Sequence, residues 1–179
     1  MTIRLRYRSF ISLCYREGLS NGKVNINPAR LVSMRKEPPG RTGYFNGEQY
    51  EQLLGVLTPG RQDAVIMSVN AGMRFKEQYT VEWSQVHFDR RVIRLTQTKN
   101  GDDRDVFLNA DSMAVLMRLK GNRKNPKGLV FEGGKEVYYG VRKWFMSAVE
   151  ATGLQDLTWH NNRHTFNPWL AMAGATKES

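Results

Sequence analysis

Trp159-His160-Asn161-Asn162-Arg163-His164-Thr165-Phe166 puts two imidazoles and a guanidinium on one short stretch of a 179-residue chain that holds only three histidines. At the start of a helix, His160 and Arg163 lie three apart on one face, beside the positive end of the helix dipole. That arrangement suits a phosphate. The alternative is structural, since a helical histidine often only packs or hydrogen-bonds.

Upstream, Ala71-Gly72-Met73-Arg74 reads as a sharp turn between helices, the glycine permitting the reversal. A cation at a helix start opposes the dipole, a conflict an anionic ligand removes, and Glu77 is placed to orient the Arg74 guanidinium. A surface Arg74–Glu77 ion pair is the plainer reading. Lys99 ends a predicted strand beside Asn100-Gly101, where a long cation can reach from a rigid hairpin; a solvated lysine, with Arg104 across the same turn, is the ordinary alternative.

Around these residues the pattern is mainly helical with a small antiparallel sheet, an α+β fold. Ile3, Tyr7, Phe10, Ile11 and Cys14 predict a helix over 3–17, ended by Gly18. One helix cannot bury its own apolar face, so the reading expects its domain to begin upstream of Met1. From Asn27-Pro28 to Gly43, with Pro38-Pro39-Gly40, the chain reads as a linker. Asn46 and Gln49 predict a capping box before Tyr50, Leu53, Leu54 and Leu57, with Pro59-Gly60 closing that helix. Ala64 to Val69 predicts a second helix and Phe75 to Trp83 a third. Arg91–Thr98 and Asp105–Leu108 predict a hairpin, Asp111 caps a helix carrying Val115, Leu116 and Leu119, and Leu129-Val130-Phe131 reads as a short strand. Val141, Trp144, Phe145 and Val149 mark a further helix before His160.

The formal net charge is +10, which makes an anionic polymer the first partner to consider. Residues 1–45 hold nine Lys or Arg against Glu17 and Glu37, whereas the rest carry eighteen against fifteen. A basic arm ahead of a nearly balanced domain fits electrostatic docking by the arm and selective chemistry in the domain. The single cysteine, Cys14, excludes an internal disulfide, and no Cys/His cluster has zinc spacing. The apolar runs are short and interrupted by charge, so neither a signal peptide nor a membrane span is expected, and a cytoplasmic location fits.

Taken in order, Ala71-Gly72-Met73-Arg74, Glu77, Trp83, Thr98-Lys99-Asn100-Gly101 with Arg104, Val106 and Leu108, His160-x-x-Arg163-His164-Thr165-Phe166 and Trp169 to Gly174 resemble the phage-integrase, or tyrosine recombinase, family. The resemblance covers residues 46–179 as a catalytic domain. Asn27-Pro28-Ala29-Arg30 resembles the end of the family's core-binding domain, which makes 1–33 the tail of that helical domain and 34–45 the linker.

The resemblance implies site-specific recombination of double-stranded DNA through a phosphotyrosine, in a bacterium or phage, by a homo-tetrameric synapse when intact. It assigns Arg74 and Arg163 to the non-bridging oxygens of the scissile phosphate, Lys99 to protonation of the leaving 5′ hydroxyl, and His160 to proton transfer and phosphate binding. No cofactor or metal is implied, because fixed guanidiniums supply the charge that Mg²⁺ supplies elsewhere. The family also uses a later histidine or tryptophan and a nucleophilic tyrosine, whereas Tyr7, Tyr15, Tyr44, Tyr50, Tyr79, Tyr138 and Tyr139 all precede His160. The expectation is therefore a catalytic domain truncated before its nucleophile, unable to cleave DNA alone. A non-catalytic DNA-binding remnant and an unrelated basic helical adaptor are the alternatives. Two departures stand out. Asn161-Asn162 occupies the place of an Asp-Leu pair, which puts a polar residue at a core position. Pro168 falls where the family continues a helix, so the helix is bent, displaced or frayed, or else starts late enough for Pro168 to lie in its first turn.

Overall fold

A computed structural model describes residues 3–33, 43–96, 103–122, 124, 126–131, 137–154 and 157–174. The chain divides into two compact units, residues 1–41 and 42–179.

In the first unit α1 (Ile3–Ser20) runs past Gly18, and the segment expected to be linker begins instead with a helical turn, α2 (Pro28–Leu31). Pro28 opens this turn because its missing N–H is needed least there. Arg8 Nε donates to the Ala29 carbonyl at 2.8 Å, and Asn27 Nδ2 donates to the Ser12 carbonyl at 3.0 Å, so the turn folds back onto α1. Tyr7, Phe10, Leu13, Ile26 and Leu31 remain exposed within this unit.

The second unit is built from α3 (Gly47–Gly55), α4 (Pro59–Ala71), α5 (Phe75–Thr80), a 3-10 turn at Trp83–Gln85, strands β1 (Val86–His87), β2 (Val92–Leu95) and β3 (Arg104–Phe107), then α6 (Ala110–Lys120), α7 (Val137–Ala151) and α8 (Trp159–Met172). The sheet is antiparallel in the order β1-β2-β3, with Ile93 opposite Val86 and Val106, and Leu95 opposite Arg104. The fold is mainly helical with a small antiparallel sheet.

The Asn46 capping box forms as expected, Asn46 Oδ1 accepting from Gln49 N at 2.8 Å while Gln49 Oε1 accepts from Asn46 N at 3.1 Å. Pro59-Gly60 opens α4 rather than closing α3, again because proline is tolerated in a first turn. The helix expected over Phe75–Trp83 ends at Thr80. Glu82 there bridges to Leu129, which is the whole extent of the strand expected at 129–131. Asn109, not Asp111, caps α6, accepting from Ser112 N at 2.9 Å. The two-residue β1 is too short to leave an alternation in sequence.

α4 is central. Val65 and Val69 join Phe45, Leu53, Phe145 and Val149 in one apolar cluster, while Ala64, Met67 and Ala71 join Ile93, Val106, Val115 and Leu116 in another. Both sides of the helix are therefore buried, and its C-terminus is held deep in the domain. That end positions the site.

Candidate active site

α4 stops at Gly72, whose φ of +57° is a left-handed cap that costs a side-chain-bearing residue about 1–2 kcal/mol. Space dictates glycine as well, since a Cβ here would stand 2.5 Å from Cδ1 of Phe166 on α8. The turn then delivers Arg74 to the N-cap of α5.

Glu77, one turn into α5, takes hydrogen bonds from three donors. Its Oε2 accepts from the Arg74 backbone N–H at 2.7 Å and from Arg104 Nη2 at 2.8 Å, and its Oε1 accepts from Arg74 Nη1 at 2.7 Å. Burial alone would raise its pKa, but these donors outweigh it and hold the carboxyl below the ordinary carboxylate range. The expected Arg74–Glu77 pair is thus present. What the sequence concealed is that Arg104, at the start of β3, shares the same carboxylate across 27 positions.

Arg163 reaches this corner from α8, its Nη1 donating to the Gly72 carbonyl. Partial burial, and then the positive charges of Arg74 and Arg104, lower its pKa, while Glu77 acts in the opposite direction. Three guanidiniums around one carboxylate leave net positive charge with free donor positions, the condition a phosphate relieves.

His160 lies one turn before His164, their ring centroids 4.4 Å apart and edge to face. Desolvation, then His164 and Arg163, lower the His160 pKa and favour the neutral imidazole. Lys99, the fourth expected site residue, and the Asn100-Gly101 turn lie outside the described residues. Among the described residues no group of three or more His, Cys, Asp or Glu is arranged to hold a metal.

The start of α8 explains one of the two polar departures. Asn161 Oδ1 accepts from Thr158 N at 2.7 Å and its Nδ2 donates to the Gly43 carbonyl at 2.6 Å, so the residue caps the helix and ties it to the chain entering the domain. Trp159 wedges among Phe75, Tyr79, Trp144 and Phe145 at centroid distances of 5.3–5.9 Å. Further along, Thr165 Oγ1 accepts from Phe45 N at 2.9 Å and Trp169 Nε1 donates to the Phe45 carbonyl at 3.1 Å. Asn162 is fully buried, and among the described residues neither of its amide atoms has a hydrogen-bond partner. α8 begins at Trp159 and continues through Pro168, so the late-start reading is wrong. Packing on both sides of the proline holds the helix, although Pro168 has no N–H for the His164 carbonyl.

Of the tyrosines, Tyr50 and Tyr79 are core residues whose phenols burial pushes upward, with Asp111 and Glu51 adding to the effect at Tyr50. Tyr139 is exposed on α7, and the Tyr138 side chain lies outside the described residues.

The chain is similar to the integrase of Salmonella phage P22, 22% identical over 179 residues that cover 93% of this chain and 46% of that protein. It is 24% identical to the shufflon-specific DNA recombinase of Escherichia coli, covering 91% of this chain and 42% of that one. It therefore spans about half the length of the curated relatives it matches. Among solved structures, a lambda integrase tetramer bound to a Holliday junction superposes with a TM-score of 0.74 at 18% identity, over 95% of this chain and 54% of that one. The Tn1549 transposon integrase in complex with circular intermediate DNA superposes at 0.68, also at 18% identity, over 97% and 67%. At such identities these structures establish the fold. The phage integrase family model matches residues 44–178, a span that takes in the Gly72 cap, the Glu77 clamp and the α8 arginine together, and the chain belongs to that family.

Proposed function

We propose that this chain is the phosphate-binding part of a site-specific DNA recombinase acting on double-stranded DNA. The observation that carries this reading is the convergence of Arg163 with the Arg74–Glu77–Arg104 cluster at one helix cap, which an unrelated adaptor would have no reason to build. Arg74 and Arg163 hold the non-bridging oxygens of the scissile phosphate, and Glu77 fixes the plane of the first guanidinium. A donor fixed in this way contributes roughly 2.7–4 kcal/mol to a transition state that concentrates charge.

In the reaction a tyrosine oxygen bonds to phosphorus as the bond to the 5′ oxygen breaks. Lys99 gives the departing oxygen its proton, and His160 moves a proton and braces the phosphate. The nucleophile is none of the seven tyrosines in residues 1–179: Tyr50 and Tyr79 are enclosed in the core, and all seven precede the α8 site in sequence, where the family places its nucleophile after that site. The domain of residues 46–179 works with residues 1–33 as the tail of a core-binding domain and 34–45 as the linker between them. The intact protein assembles as a homo-tetramer on two duplexes. No helix among the described residues is long and apolar enough to cross a membrane.

Duplex binding followed across a salt series tests this. Affinity falls steeply as salt rises, and Arg163→Ala weakens it while leaving a folded protein. A nicked suicide duplex yields no covalent adduct with this chain. Binding that ignores salt overturns the DNA reading, and a covalent adduct overturns the assignment of the nucleophile.

A further inference from the structure

We propose that His160 and His164 form an exchangeable chelating site for a divalent transition-metal ion on the surface of α8. The two residues are separated by four positions, so they project from one face of the helix one turn apart, and their ring centroids stand 4.4 Å apart. Two imidazole nitrogens bound to one zinc ion at about 2.0–2.1 Å each lie no more than about 4 Å from one another, a spacing these rings reach by side-chain rotation. His160 is exposed and His164 partly so, which leaves an approach from solvent. Among the described residues neither side chain is paired with a carboxylate, and no third His, Cys, Asp or Glu completes a cluster. The site therefore offers two ligands with the remaining positions to water. That is the pattern of a reversible site rather than a structural one, and the recombination chemistry does not require it.

Imidazole suits copper, nickel and zinc, and affinity at such a donor pair follows the order Mn²⁺ below Ni²⁺ below Cu²⁺, with Zn²⁺ beneath Cu²⁺. Arg163 sits between the two histidines in sequence, but its guanidinium is turned to the Gly72 carbonyl, and its charge keeps the ion weakly held. An ion bound here occupies the imidazole that the proposed function gives to the DNA phosphate, so transition metals would compete with that use of His160. Only this consequence rests on the recombinase reading.

The test is calorimetric titration of the full chain with Ni²⁺, Zn²⁺ and Mn²⁺ in the absence of DNA. Cys14 is replaced (Cys14→Ser) because this exposed thiol is itself a metal ligand. One equivalent of Ni²⁺ or Zn²⁺ binds, and Mn²⁺ binds far more weakly. His164→Ala lowers the Ni²⁺ affinity on the order of a hundredfold by removing the chelate advantage, while His87→Ala leaves it unchanged. With the histidines intact, paramagnetic Ni²⁺ broadens the imidazole resonances of His160 and His164 together and spares His87, a measurement that does not depend on a variant folding. Unchanged affinity in His164→Ala, equal binding of Mn²⁺, or broadening of His87 instead of the pair overturns the site. Since no DNA is present, failure here leaves the proposed function standing, and failure of DNA binding leaves the metal site standing.

Discussion

Glu77 and Asn162 are two polar side chains set into helices that carry a site arginine, and the fold treats them in opposite ways. Glu77 accepts from one donor on Oε1 and two on Oε2, whereas Asn162, at 0% exposure, has a partner for neither amide atom among the described residues. The first arrangement fixes the plane of the Arg74 guanidinium. The second carries the full desolvation cost of an amide with no return in stability. The contrast separates polarity that serves the pocket from polarity that burdens the helix beneath it.

The comparison can be broken first at the cap that joins the two helices. Gly72→Ala should destabilise the domain by about 2–5 kcal/mol, combining left-handed strain with overpacking against Phe166. Urea denaturation measures this, and Phe166→Leu in the same chain should restore part of the loss. A Gly72→Ala protein as stable as the parent would remove the steric account of the corner.

Asn162→Leu should raise stability by about 1–3 kcal/mol, because it replaces an unpartnered amide with an apolar group. Its DNA affinity should stay at the parental level. A loss of stability would show that the amide has partners after all, and would end the contrast with Glu77.

Glu77→Gln should cost about 1 kcal/mol, the arginine partners being too exposed for a larger effect. The pH dependence is the sharper measure. The folded carboxyl titrates below its unfolded value, so its contribution is complete above about pH 4.5 and disappears as pH falls through the depressed folded pKa. Glu77→Gln should flatten that part of the stability profile.

The smallest effect belongs to His160. Its folded pKa is lowered, so the unfolded chain takes up the proton first, and the stability it contributes above the ordinary histidine range is lost as pH falls through that range. His160→Gln should remove this shallow acid-side decline, as thermal melts from pH 8 to 5 would show.

Much of this architecture was legible because the signals were local. The Asn46 capping box, the glycine turn after α4 and the Arg74–Glu77 pair each lie within four residues, and the structure contains all three. The failures share the opposite property. Arg104 finds Glu77 only through the β2–β3 pairing, and nothing near Arg104 in sequence announces it. The role of Asn161 was equally hidden, because the acceptor of its amide, Gly43, is 118 positions away. Pro59-Gly60 carries the same signal whether it ends one helix or starts the next, and tertiary packing decides. Pro168 gave a true warning about backbone hydrogen bonding, yet Trp169 stacked edge-on against Tyr50 keeps the helix going beyond it.

The bond from Arg163 to the Gly72 carbonyl has a bearing on how such sequences are interpreted. That guanidinium is a strut whatever else it does: one of its five N–H donors braces the end of α4 against α8, and in the proposed function the others serve the phosphate. A lysine has three donors, but they crowd on one nitrogen and lack the planar fork that spreads an arginine's donors over two faces of a joint. The arginine thus has a structural use at this position that is independent of any bound phosphate. Its presence testifies to the joint between two helices before it testifies to a living enzyme.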